Sequence, residues 1–299
     1  MTALPAHESA LPHAREVGWM PVYALTAALE LCCAFVRAAI VQVIGDLGTL
    51  ILGHGGFLVV PVSIVIALGP IALSVLALAW PAGAGLYWRS SSGGRQPSAR
   101  ERAAFDEAIA ELKLYRPDVR PPGSWFVLDQ PDVNAAALGN TIMIARPALE
   151  RDGLTALLAH ELGHIHSWDS RVTAAINRFA FLPGRRAARQ FEVPLDTVFM
   201  MARASGAILG QLAYYVWFVA SGAFGLWVTM PLWSAYFRRR EYAADHYAYL
   251  LGQGPQLAAL MDDEFLMFDR PMPFAFMNSA NSHPPTELRI DRLNSYLDA

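Results

Sequence analysis

Five consecutive residues, HELGH at positions 160–164, carry the sharpest chemical signal in the chain. Four residues make about one helical turn, so His160 and His164 project from the same face of a helix. Two imidazoles placed this way can hold one zinc ion and leave two tetrahedral positions open. Glu161 lies beside them, able to take a proton from a water activated by that ion and later hand it on. The alternative reading is a helix with two partly buried histidines and a surface glutamate. A second segment, REYAADHYA at 240–248, places Glu241 and Asp245 four apart on another expected helix. Glu241 can supply the third metal ligand. Asp245, one turn further on, can accept a hydrogen bond from a ligand histidine and fix its tautomer. Alone, an E-x-x-x-D spacing also suits a solvated helix face; beside HELGH it reads as the rest of the site. His166 and His246 read as core or surface groups rather than ligands.

These residues must be positioned by a surrounding fold. The pattern predicts a helix over 154–168 to carry HELGH, and another over 99–115 (ARERAAFDEAIAELKLY). SWFVLD at 124–129, NAAALG at 134–139 and TIMIA at 141–145 read as short strands separated by turn residues. RRREYAADHYAYLLG at 238–252 and TELRIDRLNSYLD at 286–298 read as closing helices. RSSSGGRQPSARER at 89–102, rich in Gly, Ser and Arg, reads as a polar linker.

Composition sets this catalytic region in a membrane protein. Of 299 residues, 54% are apolar and 16% charged, against about 25% charged in soluble domains. No Asp, Glu, Lys or Arg occurs between Asp46 and Arg89 or between Arg203 and Arg238, and such runs are candidate spans. The first span is expected over 19–44. It contains Glu30 and Arg37, two turns apart, which either face a bundle interior together or snorkel to opposite interfaces. The second is expected over 57–80, with Pro61 and Pro70 as kinks and Tyr87 and Trp88 as an interfacial belt. A stretch of roughly 40 residues, 198–237, has room for a hairpin turning near Ser221 and Gly222, since one span takes about 20. That makes four spans, or three if the stretch does not cross twice. An even number of crossings must separate HELGH from Glu241 if both hold one metal. Arg89, Arg95, Arg100, Arg102, Arg185, Arg186, Arg189 and Arg238 to Arg240 flank the polar regions, so the positive-inside rule puts the site at the cytoplasmic face of a multi-pass cell-membrane protein. The expected organisation is 1–88 with two spans, 89–195 with HELGH, 196–237 as a hairpin or helix pair, and 238–299 with the third ligand. A net charge of −3 gives no reason to expect nucleic acid as a partner. Adjacent Cys32 and Cys33 suit neither a disulfide framework nor a metal clip. The first residues carry no basic n-region, and the apolar segment after them exceeds a cleaved signal's core.

Three blocks in this order, LLAHELGHIHSWD, REYAAD and SHPPTELRI, resemble the membrane-integrated zinc metallopeptidases that include HtpX and the CAAX prenyl endopeptidases. The resemblance covers residues 124–289. It implies a mainly α membrane protein with an α+β zincin-like catalytic domain and one zinc ion per chain. It implies ligands His160, His164 and Glu241, Glu161 as general base and acid, and Asp245 orienting a ligand. It further implies His283 near the site as an oxyanion donor, Arg289 as a structural arginine paired with an acid, and Asn134, Ala135 and Ala136 on an edge strand that substrate backbone would join. Ala136 stands where the family has an aromatic or bulky residue. The implied activity is endopeptidase cleavage of misfolded or membrane-associated proteins at the bilayer. Alternatives are a sensor-type protease with one partner, CAAX-type processing, or a scaffold with a structural zinc.

Overall fold

The structure, a computed structural model, describes residues 19–52, 56–131, 133–178, 230–263 and 284–297. It divides into two compact units. One comprises Pro21–Leu76 and Ala175–Trp233; the other comprises Met1–Met20, Ala77–Ala174 and Ser234–Ala299.

The first unit is built on most of α1 (Trp19–Leu52) and α2 (Gly56–Ala79), with Pro61 and Pro70 inside α2. Glu30, Thr26 and Ser74 are buried, while Phe35 and Val65 are 71% and 68% exposed. Trp233 Nε1 donates to Thr26 Oγ1 at 3.1 Å, Thr26 donates to the Val22 carbonyl, and the Tyr23 and Ser74 hydroxyls lie 3.0 Å apart. Glu30, being buried, faces the interior; the side chain of Arg37 lies outside the described residues. Among the described residues no single helix is long and apolar enough to cross a membrane, whereas Leu68–Ala79 and Pro81–Ser92 meet that test together as a bent pair. The expected hairpin over 198–237 lies outside the described residues up to position 229.

The second unit is helical around a three-stranded sheet of order β1-β3-β2. β1 (Ser124–Leu128) runs parallel to β3 (Thr141–Ala145), and β2 (Ala135–Leu138) runs antiparallel to it. All five residues of β3 are buried, as a central strand covered on both faces requires. Gly139, at φ +66°, makes the tight turn from β2 into β3; a side chain there would also strike the Pro81 carbonyl.

The segment read as a linker is ordered. Residues Pro81–Ser92 form helix α3, opened by a proline in its first turn and closed by left-handed Gly93. Arg95 then exchanges both backbone hydrogen bonds with Val127, at 2.9 and 3.1 Å, adding a bridge beside β1. Its guanidinium spans Glu101 and Asp129. Gly/Ser composition hid these long-range partners. Helix α4 (Ala99–Tyr115) starts at a capping box: Ser98 Oγ accepts from the Glu101 amide and Glu101 accepts from the Ser98 amide. Its buried stripe, Phe105, Ala108, Ile109 and Leu112, keeps helical spacing, and Phe105 stacks on Trp125 at 4.3 Å.

Helices α5 (Leu154–His166), α6 (Asp169–Ile176), α7 (Met230–Leu250), α8 (Gly254–Asp263) and α9 (Thr286–Leu297) complete the described part. The helix expected over 154–168 stops two residues early. Trp168 adopts φ +66°, the one left-handed non-glycine among the described residues, and a new helix begins at Asp169. Leu158, Leu162, Tyr247, Leu250, Leu251 and Leu293 pack α5, α7 and α9 into one core with the sheet.

Candidate metal centre

Leu158, Ala159 and Leu162 anchor α5 in the core, so its opposite turn presents His160, Glu161 and His164 to a buried pocket of polar groups. Between the two histidines sits Gly163. A Cβ there would lie 2.9 Å from the Ala244 Cα and 3.1 Å from the Tyr247 Cβ, so its absence lets the α5 and α7 backbones meet. That approach brings Glu241 onto the histidine pair.

The resulting geometry is compact. The two Nε2 atoms are 3.1 Å apart, and the Glu241 carboxylate oxygens lie 3.5 Å from each. One oxygen of Glu161 and one ring nitrogen of each histidine fall within 4.8 Å of one another. Each histidine has an aspartate on its outer nitrogen. His160 Nδ1 is 3.0 Å from Asp245, and His164 Nδ1 is 2.8 Å from Asp169. Each aspartate meets an arginine. Arg289 forks onto Asp245 with bonds of 2.8 and 2.6 Å, while Arg240 approaches Asp169 at 3.5 Å and donates to Thr173 at 2.8 Å. Both arginines also reach Glu241, Arg240 at 3.2 Å and Arg289 at 3.6 Å.

Glu161, Asp169, Glu241 and Asp245 are all buried. Among the described residues two arginines answer four carboxylates, and burying the surplus negative charge is costly unless a cation joins it. The proton competes for that role. Burial disfavours the charged imidazole of His160, but Asp245 and Glu241 outweigh it and hold the group up at about 9. Burial likewise works against the ionised Asp245, yet Arg289 and His160 keep its carboxyl below the usual range. Arg289 and Arg240 stay charged because their carboxylate neighbours overcome burial. Glu161 Oε2 is buried without a hydrogen-bond partner among the described residues. Ligands about 2.0–2.2 Å from one tetrahedral zinc stand a little over 3 Å apart, as these do, and a two-imidazole, one-carboxylate set suits that ion. The residues present fit a zinc ion.

Asn134 precedes β2, and its carbonyl accepts from the Ala145 amide at 2.8 Å. Antiparallel alternation then turns the backbone groups of Ala135 and Ala137 toward the outer edge of the sheet. At Gly139 that edge is closed by Ser170: the Gly139 amide donates to its carbonyl and its hydroxyl donates to the Gly139 carbonyl. β2 packs against α5, which carries HELGH. His283 lies outside the described residues. Asp169 closes the LLAHELGHIHSWD block, five residues past His164, but its role as the partner of that histidine was not assigned from the sequence, and nothing pointed to Arg240. Asp169 reaches His164 only because the chain breaks at Trp168, and nothing in the residue type announces a left-handed tryptophan.

Residues 102–297 match peptidase family M48. The chain is 29% identical to Protease HtpX of Shewanella pealeana over 196 residues, 57% of this chain and 66% of that protein. It is 28% identical to Protease HtpX of Tolumonas auensis over 193 residues, 56% of this chain and 64% of that one. A Protease HtpX homolog of Salinibacter ruber is 28% identical over 251 residues, covering 69% and 81%. The matched region thus spans about two thirds of the length of the first two relatives.

Proposed function

Given that the chain belongs to peptidase family M48, we propose that it is a membrane-bound zinc endopeptidase whose ion is held by His160, His164 and Glu241. The observation that carries this reading is the convergence of two imidazole nitrogens and the Glu241 carboxylate at 3.1–3.5 Å beside the unpartnered oxygen of Glu161. When bound, zinc polarises the scissile carbonyl and makes a water acidic enough to lose its proton near neutral pH. Glu161 Oε2, with no other hydrogen bond to satisfy, takes that proton and returns it to the leaving amine. Asp245 and Asp169 hold His160 and His164 with their Nε2 atoms turned inward, and Arg289 and Arg240 hold the aspartates. His283, assigned by the SHPPTELRI motif alone, donates to the oxyanion. Substrate binds extended, its backbone adding to the outer edge of β2 at Ala135 and Ala137, where small side chains leave the approach open. Asn134, whose carbonyl is spent on Ala145, sets the register of that edge.

The bilayer is the second partner. The apolar runs and the buried polar groups around Glu30 support a multi-pass protein, and the arginines flanking the polar segments support a site at the cytoplasmic face. A site held there suits misfolded or membrane-associated proteins as substrates, a quality-control role.

The test compares the detergent-purified full chain with Glu161→Gln, both zinc-loaded, on casein and on an unfolded membrane protein. Cleavage by the native chain, stopped by a chelator and lost in the variant by at least about a hundredfold, is expected. Bound zinc with equal background from both proteins on both substrates would leave a structural zinc and overturn the peptidase reading.

A further inference from the structure

Among the described residues, an open cleft of about 420 Å³ lies between α3, α4 and β1, within the roughly 300–1,000 Å³ of small-molecule sites. Arg89, Arg102, Gln96 and Asp106 supply its polar wall, and Leu86 and Trp125 its apolar one. The third arginine nearby, Arg95, is consumed by Glu101 and Asp129. Arg102 has no side-chain partner among the described residues, and Arg89 spends only its Nε, on the Gly94 carbonyl at 3.3 Å. Two guanidiniums with idle N–H groups, opposed by one carboxylate, leave a net positive pocket. Planar donors of this kind match phosphate oxygens in pairs.

The surroundings identify which phosphate. Helix α3 follows α2 after a single residue, Trp80; that residue and Leu86 and Tyr87 of α3 are 54%, 61% and 55% exposed. Its other side is fastened to the sheet by Trp88, packed edge-on against Phe126 at 5.3 Å. Tryptophan and tyrosine exposed beside an apolar segment mark head-group depth in a bilayer. A cleft lined by two arginines beside such aromatics has the composition of a head-group site.

We propose that the Arg89–Arg102 cleft binds the head group of an anionic phospholipid that carries hydroxyl donors, as phosphatidylglycerol does. The phosphodiester sits between the two guanidiniums, which its single charge and that of Asp106 together neutralise. The head-group hydroxyls donate to Asp106 and to the Gln96 side chain, and an acyl chain leaves past Leu86. This inference depends on the membrane reading and is independent of the peptidase one.

Native mass spectrometry of the delipidated full chain, released from detergent after titration with phosphatidylglycerol, phosphatidylcholine or glycerol 3-phosphate, tests it. Retention of phosphatidylglycerol over phosphatidylcholine by about fivefold to tenfold is expected, from one or two charge-assisted contacts. Arg102→Gln abolishes that preference and Arg102→Lys keeps most of it; Arg102 is exposed on α4, so an unchanged unfolding temperature should accompany both. Equal retention of the two lipids, or a preference that survives Arg102→Gln, overturns the proposal. Glycerol 3-phosphate binding as tightly as the lipid would make this a site for soluble phosphates and overturn it as well.

Discussion

His160 and His164 stand on one face of α5, yet the groups behind them come from different parts of the chain and are held to different tolerances. Behind His160, Asp245 of α7 is clamped by both arms of Arg289 from α9, 44 residues away. Behind His164, Asp169 makes the shorter contact to its histidine, 2.8 Å against 3.0 Å, but its arginine stands off at 3.5 Å and is shared with Glu241 and Thr173. Asp169 Oδ1 is buried with no hydrogen-bond partner among the described residues. Arg289 and Asp245 thus pin α7 to α9 behind His160, whose buried Nδ1 lies 3.0 Å from Asp245 but makes no well-directed hydrogen bond among the described residues, whereas Asp169 is delivered to His164 by the chain break at Trp168.

The largest effect should come from breaking the pin. Arg289→Ala strands the buried Asp245 charge and is expected to cost about 3–5 kcal/mol, read as a fall in unfolding temperature in detergent. Arg240→Ala should cost distinctly less, because Glu241 keeps Arg289 and Asp169 keeps His164. Equal losses would erase the proposed difference between the two sides.

Zinc affinity sharpens the same comparison. Asp245→Asn and Asp169→Asn should each weaken binding by about 10–100-fold in chelator competition, since each removes the acceptor that sets a histidine tautomer. A variant that leaves affinity untouched would mean that its histidine is not a ligand. Gly163→Ala asks whether the close approach of α5 and α7 matters. A Cβ 2.9 Å from the Ala244 backbone should cost about 1–3 kcal/mol and lower zinc retention through Glu241. An unaffected variant would show that α7 can yield without losing the metal.

The smallest effect belongs to a pair remote from both relays. Arg95 beside Glu101 holds its carboxyl down, from 4.5 to about 2. A depressed acid stabilises the fold fully above its unfolded pKa, so this contribution is complete above about 4.5 and is lost as the pH falls toward 2. Glu101→Gln should cost under about 1 kcal/mol at neutral pH, because Arg95 is partly solvated. It should also flatten the dependence of unfolding temperature on pH within that window while zinc affinity stays unchanged. A steeper dependence would reverse the sign of the interaction.

What could be read from the residues alone was whatever is encoded within one helical turn. HELGH and the Glu241–Asp245 pair are i, i+4 patterns, and α4 occupies the residues 99–115 expected for it. All three strands were visible as short apolar runs, SWFVL, AAAL and TIMIA, separated by turn residues. The failures are non-local. Helix α3 and the Arg95 bridge were hidden under Gly, Ser and Arg because their partners, Phe126, Val127 and Asp129, lie more than 30 residues on. The early stop of α5 was hidden because the left-handed turn at Trp168 is set by the docking of α6 on Gly139 rather than by any preference of tryptophan.

The central claim is that one ion is shared by His160, His164 and Glu241, and zinc K-edge absorption on the purified full chain tests it most directly. One zinc per chain is expected, with two imidazole nitrogens and carboxylate or water oxygens at about 2.0–2.2 Å, and Glu241→Gln should lose an oxygen ligand or most of the metal. Absence of zinc from the native chain, or a coordination shell that Glu241→Gln leaves unchanged, would contradict the account.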